Sequence, residues 1–266
     1  MIIERIWAAN ALRNYHYVIG CGETGEALVV DPLDWKACLK RATARGWTIR
    51  QIVNTHEHRD HTAGNEELVR ATGAQVLAHA AAAARIGGVD RGLHAGDVIR
   101  VGRSVELECL DTPGHTRSHV CLLAHAAGPA LFSGDTLFNA GVGNCRNGGD
   151  PELLYTTCRT LLARLPVTTH LYPGHDYLHN NLRFTDHLEP GNPSVAAWLA
   201  RCQDLAPEDM PVLTLADELQ INSFFRLAEP GVLEGLRRVA PGLSAGLTPA
   251  GAREVFLALR ELRNSW

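Results

Sequence analysis

Short apolar runs alternate with turn-forming residues through roughly the first two thirds of the chain. Tyr15–Gly20 and residues 27–30 read as strands, parted by turn signals at 22–25. Asp34 can cap a helix running to about residue 45, where Gly46 closes it. Residues 49–54 form a short β-branched strand that delivers the chain to His56. A helix over residues 62–71, ended by Gly73, precedes a strand at 75–78. Further strands are expected at Val98–Val101, Val105–Asp111, Val120–Ala124, 130–133 and 169–172, with a helix over 151–165. Apolar strands here repeatedly end in a polar cluster. That layout suits layered sheets with helices packed outside and functional loops at strand ends, an α+β class of fold.

Past about residue 176 the alternation stops. Residues 192–205, 229–239 and 249–264 carry helical spacing, so the pattern divides the chain into 1–176 and a smaller helical domain, 177–266. Composition narrows the field. Of 266 residues, 45% are apolar and 20% charged, with a formal net charge of −4, which is ordinary for a soluble globular chain and lacks the basic stripe of a nucleic-acid binder. Residues 1–10 contain Glu4 and Arg5 inside the apolar run, unlike a secretory signal, and no stretch reaches the ~18 apolar residues of a membrane span. Seven scattered cysteines without a CxxC pair fit a reducing compartment, so a cytoplasmic location is expected.

The chemistry concentrates at Thr55-His56-Glu57-His58-Arg59-Asp60-His61, directly after a strand. Three histidines and two carboxylates in six positions are a poor packing segment. A turning loop can aim His56 and His58 one way, Asp60 and His61 another, which serves two metal ions. Three later segments share a form: Gly114-His115, Gly134-Asp135 and Gly174-His175 each end a strand with glycine just before a possible ligand. Glycine lets the backbone turn sharply and approach a metal without a Cβ clash. His119, in the same turn as His115, either hydrogen-bonds behind the ligands or simply packs the turn. Asp31 either orients a ligand or ends its strand.

Together these residues resemble the metallo-β-lactamase superfamily, whose fold is a four-layered αβ/βα sandwich. The resemblance implies His56, His58 and His115 on a first metal, Asp60, His61 and His175 on a second, and Asp135 bridging. Zinc is the expected pair of divalent ions, with iron or manganese compatible with mixed N/O ligands. An oxygen-reducing di-iron branch carries Glu where this chain has His58, which sets that branch aside. Asp60, His61 and Asp135 are then the catalytic residues, activating water for attack on an electrophilic carbonyl or phosphorus.

A narrower likeness covers nearly the whole chain. Gly174-His-Asp-Tyr-Leu-His-Asn-Asn-Leu-Arg-Phe184, Leu188-Glu-Pro-Gly-Asn192, Asp135-Thr-Leu-Phe138, Ile221-Asn-Ser-Phe-Phe-Arg226 and Val255-Phe-x-Ala-Leu-Arg260 resemble glyoxalase II (hydroxyacylglutathione hydrolase). This implies hydrolysis of a glutathione thioester, a small-molecule partner with no nucleic acid or membrane involved. Tyr177 and Arg226 match positions that contact glutathione. The branch usually has Arg or Lys where this chain has Asn144, and Arg146 stands nearby as a substitute cation. Other readings are a related hydrolase of a different thioester, a persulfide dioxygenase with one iron, and a metal-binding protein without turnover.

Overall fold

The computed structural model describes residues 1–125 and 128–266. Six strands form the first sheet in sequential order: β1 (Ile2–Trp7), β2 (Tyr15–Gly20), β3 (Glu26–Val30), β4 (Thr48–Asn54), β5 (Gln75–His79) and β6 (Arg91–Leu93). The second sheet contains β7 (Val98–Val101), β8 (Val105–Asp111), β9 (Val120–Ala124), β10 (Ala130–Gly134) and, parallel to β10 at its edge, a late strand (His170–Pro173). Between them in sequence lie β11 (Leu137–Phe138) and β12 (Gly141–Val142), a two-stranded hairpin, so the late strand is β13.

Strict alternation sorts the side chains. In β2, Tyr15, Tyr17 and Ile19 point into a core shared with Ile99, Leu107, Leu122 and Phe132 of the second sheet. Val18, Val29 and Ile52 point the other way, onto Cys38 and Ala42 of α1 (Trp35–Ala44) and Leu68. On the far side of the second sheet, Cys121, Leu123 and Leu131 pack on Leu154 and Leu161 of the helix at Pro151–Arg164 and on the C-terminal helices. Helix, sheet, sheet, helix is therefore the layer order, held by three apolar seams. Among the described residues no helix is long and apolar enough to cross a membrane.

Two local expectations change. β1 was hidden in the sequence by Glu4, whose buried carboxylate pairs with Arg41 Nη1 at 2.6 Å and with Arg45 of α1. The expected helix over 62–71 is two pieces, α2 (Arg59–Thr62) and α3 (Asn65–Thr72), split at Gly64. At the break the backbone passes close to the 31–34 segment, where a Cβ at Gly64 would lie 1.7 Å from the Pro32 carbonyl oxygen. α4 (Ala83–Ile86) and α5 (Pro151–Arg164) follow, the latter capped by the Asp150 carboxylate accepting from Glu152 and Leu153 amides.

After β13 the chain is helical: α6 (Leu178–Leu188), α7 (Pro193–Cys202), α8 (Leu215–Ile221), α9 (Pro230–Val239), α10 (Pro241–Ser244) and α11 (Ala252–Ser265). The α6 segment was not anticipated, since its Asn180-Asn181 pair obscures the buried face made by Leu178, Leu182 and Phe184. Because Gly64 seats α3 against the 31–34 segment, Gly64→Ala is expected to cost about 1–3 kcal/mol. A lowered urea midpoint at unchanged slope would register it.

Candidate metal centre

All seven ligands expected from the sequence gather on one edge of the sandwich: His56 and His58 just after β4, Asp60 and His61 on α2, and His115, Asp135 and His175 just after β8, β10 and β13. His56, His58 and His115 converge, as do His56, His61 and Asp135, and Asp60, His61 and His175; within each set the donor atoms lie within 4.8 Å of one another. The spacing is tight: His58 Nδ1 lies 3.0 Å from both His56 Nε2 and His115 Nε2. His61 Nε2 and His175 Nε2 are 3.2 Å apart. Asp60 Oδ2 is 3.3 Å from His61 Nε2, and Asp135 is 3.5 Å from His61 and from His115 and 3.2 Å from His175.

The partners of the other ring nitrogens assign the tautomers. His115 Nδ1 faces the Asn144 carbonyl at 2.6 Å, and His175 Nδ1 the Leu12 carbonyl at 2.7 Å. His58 Nε2 faces the Asn147 carbonyl at 3.1 Å. His61 Nδ1 is 2.9 Å from the Asp31 carboxylate. Thr55 Oγ1 donates to Asp31 at 2.7 Å, which leaves its oxygen to accept from His56 Nδ1 at 3.0 Å. Every one of these partners is an acceptor, so the proton of each imidazole sits on the outer nitrogen. With the rings neutral, the five inner nitrogens present bare lone pairs to one another at hydrogen-bond distance. That is unfavourable unless a positive charge sits among them, and a tetrahedral metal with nitrogen at about 2.0–2.1 Å requires such crowding.

Asp135 carries the same message. Its Oδ1 is buried and has no hydrogen-bond partner among the described residues. Burial disfavours its charge, yet His175 and His61 hold the carboxyl well below the usual range. His61, whose burial opposes protonation, is pushed well above its ordinary value by Asp135 and Asp31. One positive charge is thus demanded at this point, by a proton or by a metal ion, and metal binding would displace the proton. The donor set, mixed imidazole and carboxylate, fits divalent metal ions.

Two glycines make the approach possible. A Cβ on Gly174 would stand 2.4 Å from Asp135 Oδ1 and 3.0 Å from His61 Cε1. Gly134 has a φ of +47°, and its Cβ would meet Thr55 Oγ1 at 2.6 Å. Of the supporting residues, Asp31 orients His61 and also accepts the Thr55 amide at 2.8 Å. His119 Nε2 accepts the Asp135 amide at 3.1 Å, with Thr112 at 2.8 Å on its other nitrogen, so it fixes the backbone that carries Asp135.

The expected substrate residues separate. Tyr177 stacks on His175 with ring centroids 4.9 Å apart, and with Asn144 and Arg146 it lines a cavity of about 240 Å³ beside the ligands. Arg226 does not line it. Its guanidinium forks onto the buried Glu189 carboxylate at 2.9 and 3.0 Å, in a groove between α6, α7 and α9, so its charge is already committed. Arg260 and Arg263 of α11 line the cavity and were not singled out in the sequence; an arginine on an amphipathic helix carries no positional signal there. Gly174→Ala is expected to leave the sheets folded and abolish retention of the metal nearest Asp135, measured as metal per protein after dialysis.

Comparison with known proteins places the chain. The family described as the metallo-beta-lactamase superfamily matches residues 12–175, and that described as hydroxyacylglutathione hydrolase C-terminus matches residues 176–266. Relatives named hydroxyacylglutathione hydrolase are 56% identical in Polaromonas sp. and 53% in Nitrosococcus oceani, each covering 100% of both chains. Among solved structures, ETHE1 from Myxococcus xanthus superimposes with a TM-score of 0.67 at 24% identity, covering 95% of this chain and 99% of that one. A protein solved in a di-iron-bound form gives 0.59 at 24% identity, covering 83% of this chain and 99% of its own. At that identity both speak to the fold, an α+β sandwich with sheets inside and helices outside. The chain belongs to the metallo-β-lactamase superfamily and, within it, to the hydroxyacylglutathione hydrolase family.

Proposed function

We propose that this protein hydrolyses S-(2-hydroxyacyl)glutathione to glutathione and a 2-hydroxy acid, using two divalent metal ions, zinc by preference. The observation that carries the substrate is the cavity beside the ligands, where Arg146, Arg260 and Arg263 gather three guanidinium groups. Glutathione brings two carboxylates on a tripeptide backbone, and guanidinium groups bind carboxylates with directional, charge-assisted bonds. Arg260 spans Val142 and Gly143 carbonyls at 3.0 Å, and its Nε has no partner among the described residues. Arg263 reaches Asn181 Oδ1 at 3.2 Å. These cations supply the charge that Asn144 lacks. On this reading residues 1–176 carry the chemistry and 177–266, through Tyr177 and α11, hold the thiol portion.

The roles of the residues follow from position. Tyr177 and Phe138 border His175, with the Phe138 ring 5.7 Å from that imidazole, so a thiol seated over Tyr177 brings its thioester carbon to the ligands. When bound, the metal pair supplies a nucleophile from water at neutral pH and polarises the carbonyl. Asp60 resists the effect of burial: His61 and Asn14 hold its carboxyl below the usual range, so it stays ionised and can orient the attacking water by accepting a hydrogen bond from it. The departing thiolate, with an ordinary thiol pKa of about 8.5, needs no proton donor. In their neutral form His56, His58, His61, His115 and His175 turn their inner nitrogens to the metals, because the outer nitrogens face acceptors. The cysteines, seven and all unpaired among the described residues, accord with a reducing cytoplasm.

Metal-loaded protein is expected to hydrolyse S-lactoylglutathione, followed by loss of the thioester absorbance, and a chelator should stop it. No turnover with two metals bound would move the substrate to another thioester. The arginine cavity adds a second expectation. Arg263→Met should raise KM for the glutathione thioester by about 10-fold while kcat holds, as loss of a charged hydrogen bond made equally in ground and transition states would do. An unchanged KM would remove Arg263 from substrate binding.

A further inference from the structure

The loop between β1 and β2, residues 8–14, contributes none of the seven ligands, yet two of its groups touch the second set. Leu12 offers one carbonyl to both His175 Nδ1, at 2.7 Å, and Tyr177 OH, at 3.0 Å. Tyr15, just beyond the loop, ties its amide to the Gly174 carbonyl at 2.8 Å. Asn14, 1% exposed, donates from Nδ2 to Asp60 Oδ2 at 3.0 Å and to the Asp60 carbonyl at 3.3 Å. The amide is itself braced, because Asn10 Nδ2 donates to Asn14 Oδ1 at 2.7 Å and Asn10 Oδ1 accepts the Asn14 backbone amide at 3.0 Å. A carboxylate can only accept, so this chain of bonds has one consistent direction.

We infer that Asn14 is a positioning residue that completes the second metal subsite by holding Asp60 against His61 and His175. Asp60 needs such a hold. It sits on the single-turn helix α2 with its side chain 23% exposed, and among the described residues Asn14 is the sole amide donor to its carboxylate. Without it, the carboxylate is free to turn into solvent. The loop is also built under constraint: Ala9 and Arg13, neither of them glycine, have φ values of 51° and 61°. Side chains with a Cβ adopt that region at a cost, and such residues persist where surrounding contacts over-determine them. The effect is confined to one metal. His56, His58 and His115 donate their outer hydrogen bonds to Thr55, Asn147 and Asn144, and none to this loop.

The inference rests on the two-metal reading above, and one experiment separates the two. In the full chain, His58→Ala leaves the second subsite as the better one, and His175→Ala leaves the first. Asn14→Ala, and Asn14→Ser as a polar but shorter alternative, are added to each background. Zinc dissociation constants come from competition with a chromophoric chelator, and melting is followed in the metal-free state. In the His58→Ala background, loss of Asn14 should weaken zinc by about 10-fold or more, the usual scale for a lost outer partner. In the His175→Ala background it should leave zinc affinity unchanged, and the metal-free melting temperature should move equally little in both. Equal weakening in the two backgrounds, or none in either, overturns the assignment and makes the loop a general brace. Fewer than two zinc ions on the unsubstituted chain would instead overturn the metal-pair reading, and the inference with it.

Discussion

Five imidazole nitrogens and two carboxylates crowd together around a point that demands a positive charge. Everything else in the catalytic region serves to maintain that arrangement. Each outer nitrogen is capped by an acceptor, so neutral rings cannot relieve one another by hydrogen bonding, and among the described residues the buried Asp135 Oδ1 has no hydrogen-bond partner. A protein interior tolerates unpaired polar groups only where something else compensates them. A cation is that compensation, and its absence would leave repulsion concentrated where the two sheets meet.

The sandwich is suited to carrying such a burden. Ligands arrive from β4 and α2 of one sheet and from β8, β10 and β13 of the other, so the site exists only when the layers are docked. The seam that docks them, from Tyr17 and Leu28 across to Leu122 and Phe132, is apolar and fully buried. Rigid strand ends then set positions to a fraction of an ångström, which loops alone rarely achieve. The helical region reaches back through α11, whose Arg260 and Arg263 line the cavity beside the ligands together with Asn144 and Arg146.

Much of this was legible in the sequence because side chains with distinctive chemistry announce themselves. His56-x-His58-x-Asp60-His61 and the three Gly-ligand pairs could be read directly, since imidazoles clustered after a strand have little use in packing. Strands with clean alternation, such as Val105–Asp111, were equally plain. Less visible were contacts made by main-chain atoms. The carbonyls of Leu12, Asn144 and Asn147 are indispensable to ligand orientation, yet every residue has a carbonyl, so no letter marks them. Asn14 was overlooked for a related reason, lying far from the ligand cluster in sequence while bonding to it in space. Arg226 misled in the opposite direction: its segment resembled a family motif, but Glu189 neutralises it away from the cavity. Arg260 entered the sequence reading only as the last residue of a family likeness and Arg263 not at all, because an arginine on an amphipathic helix does not announce which cavity it borders.

The reliance of His58 and His115 on main-chain carbonyls has an evolutionary corollary. Residues 144–147 hold two metal ligands through their backbone while pointing Arg146 at the neighbouring cavity. Carbonyl oxygens survive almost any side-chain replacement that preserves the turn. The segment is therefore free to trade one cation or aromatic for another without disturbing the metals, which gives this enzyme a place where specificity can drift at constant reactivity.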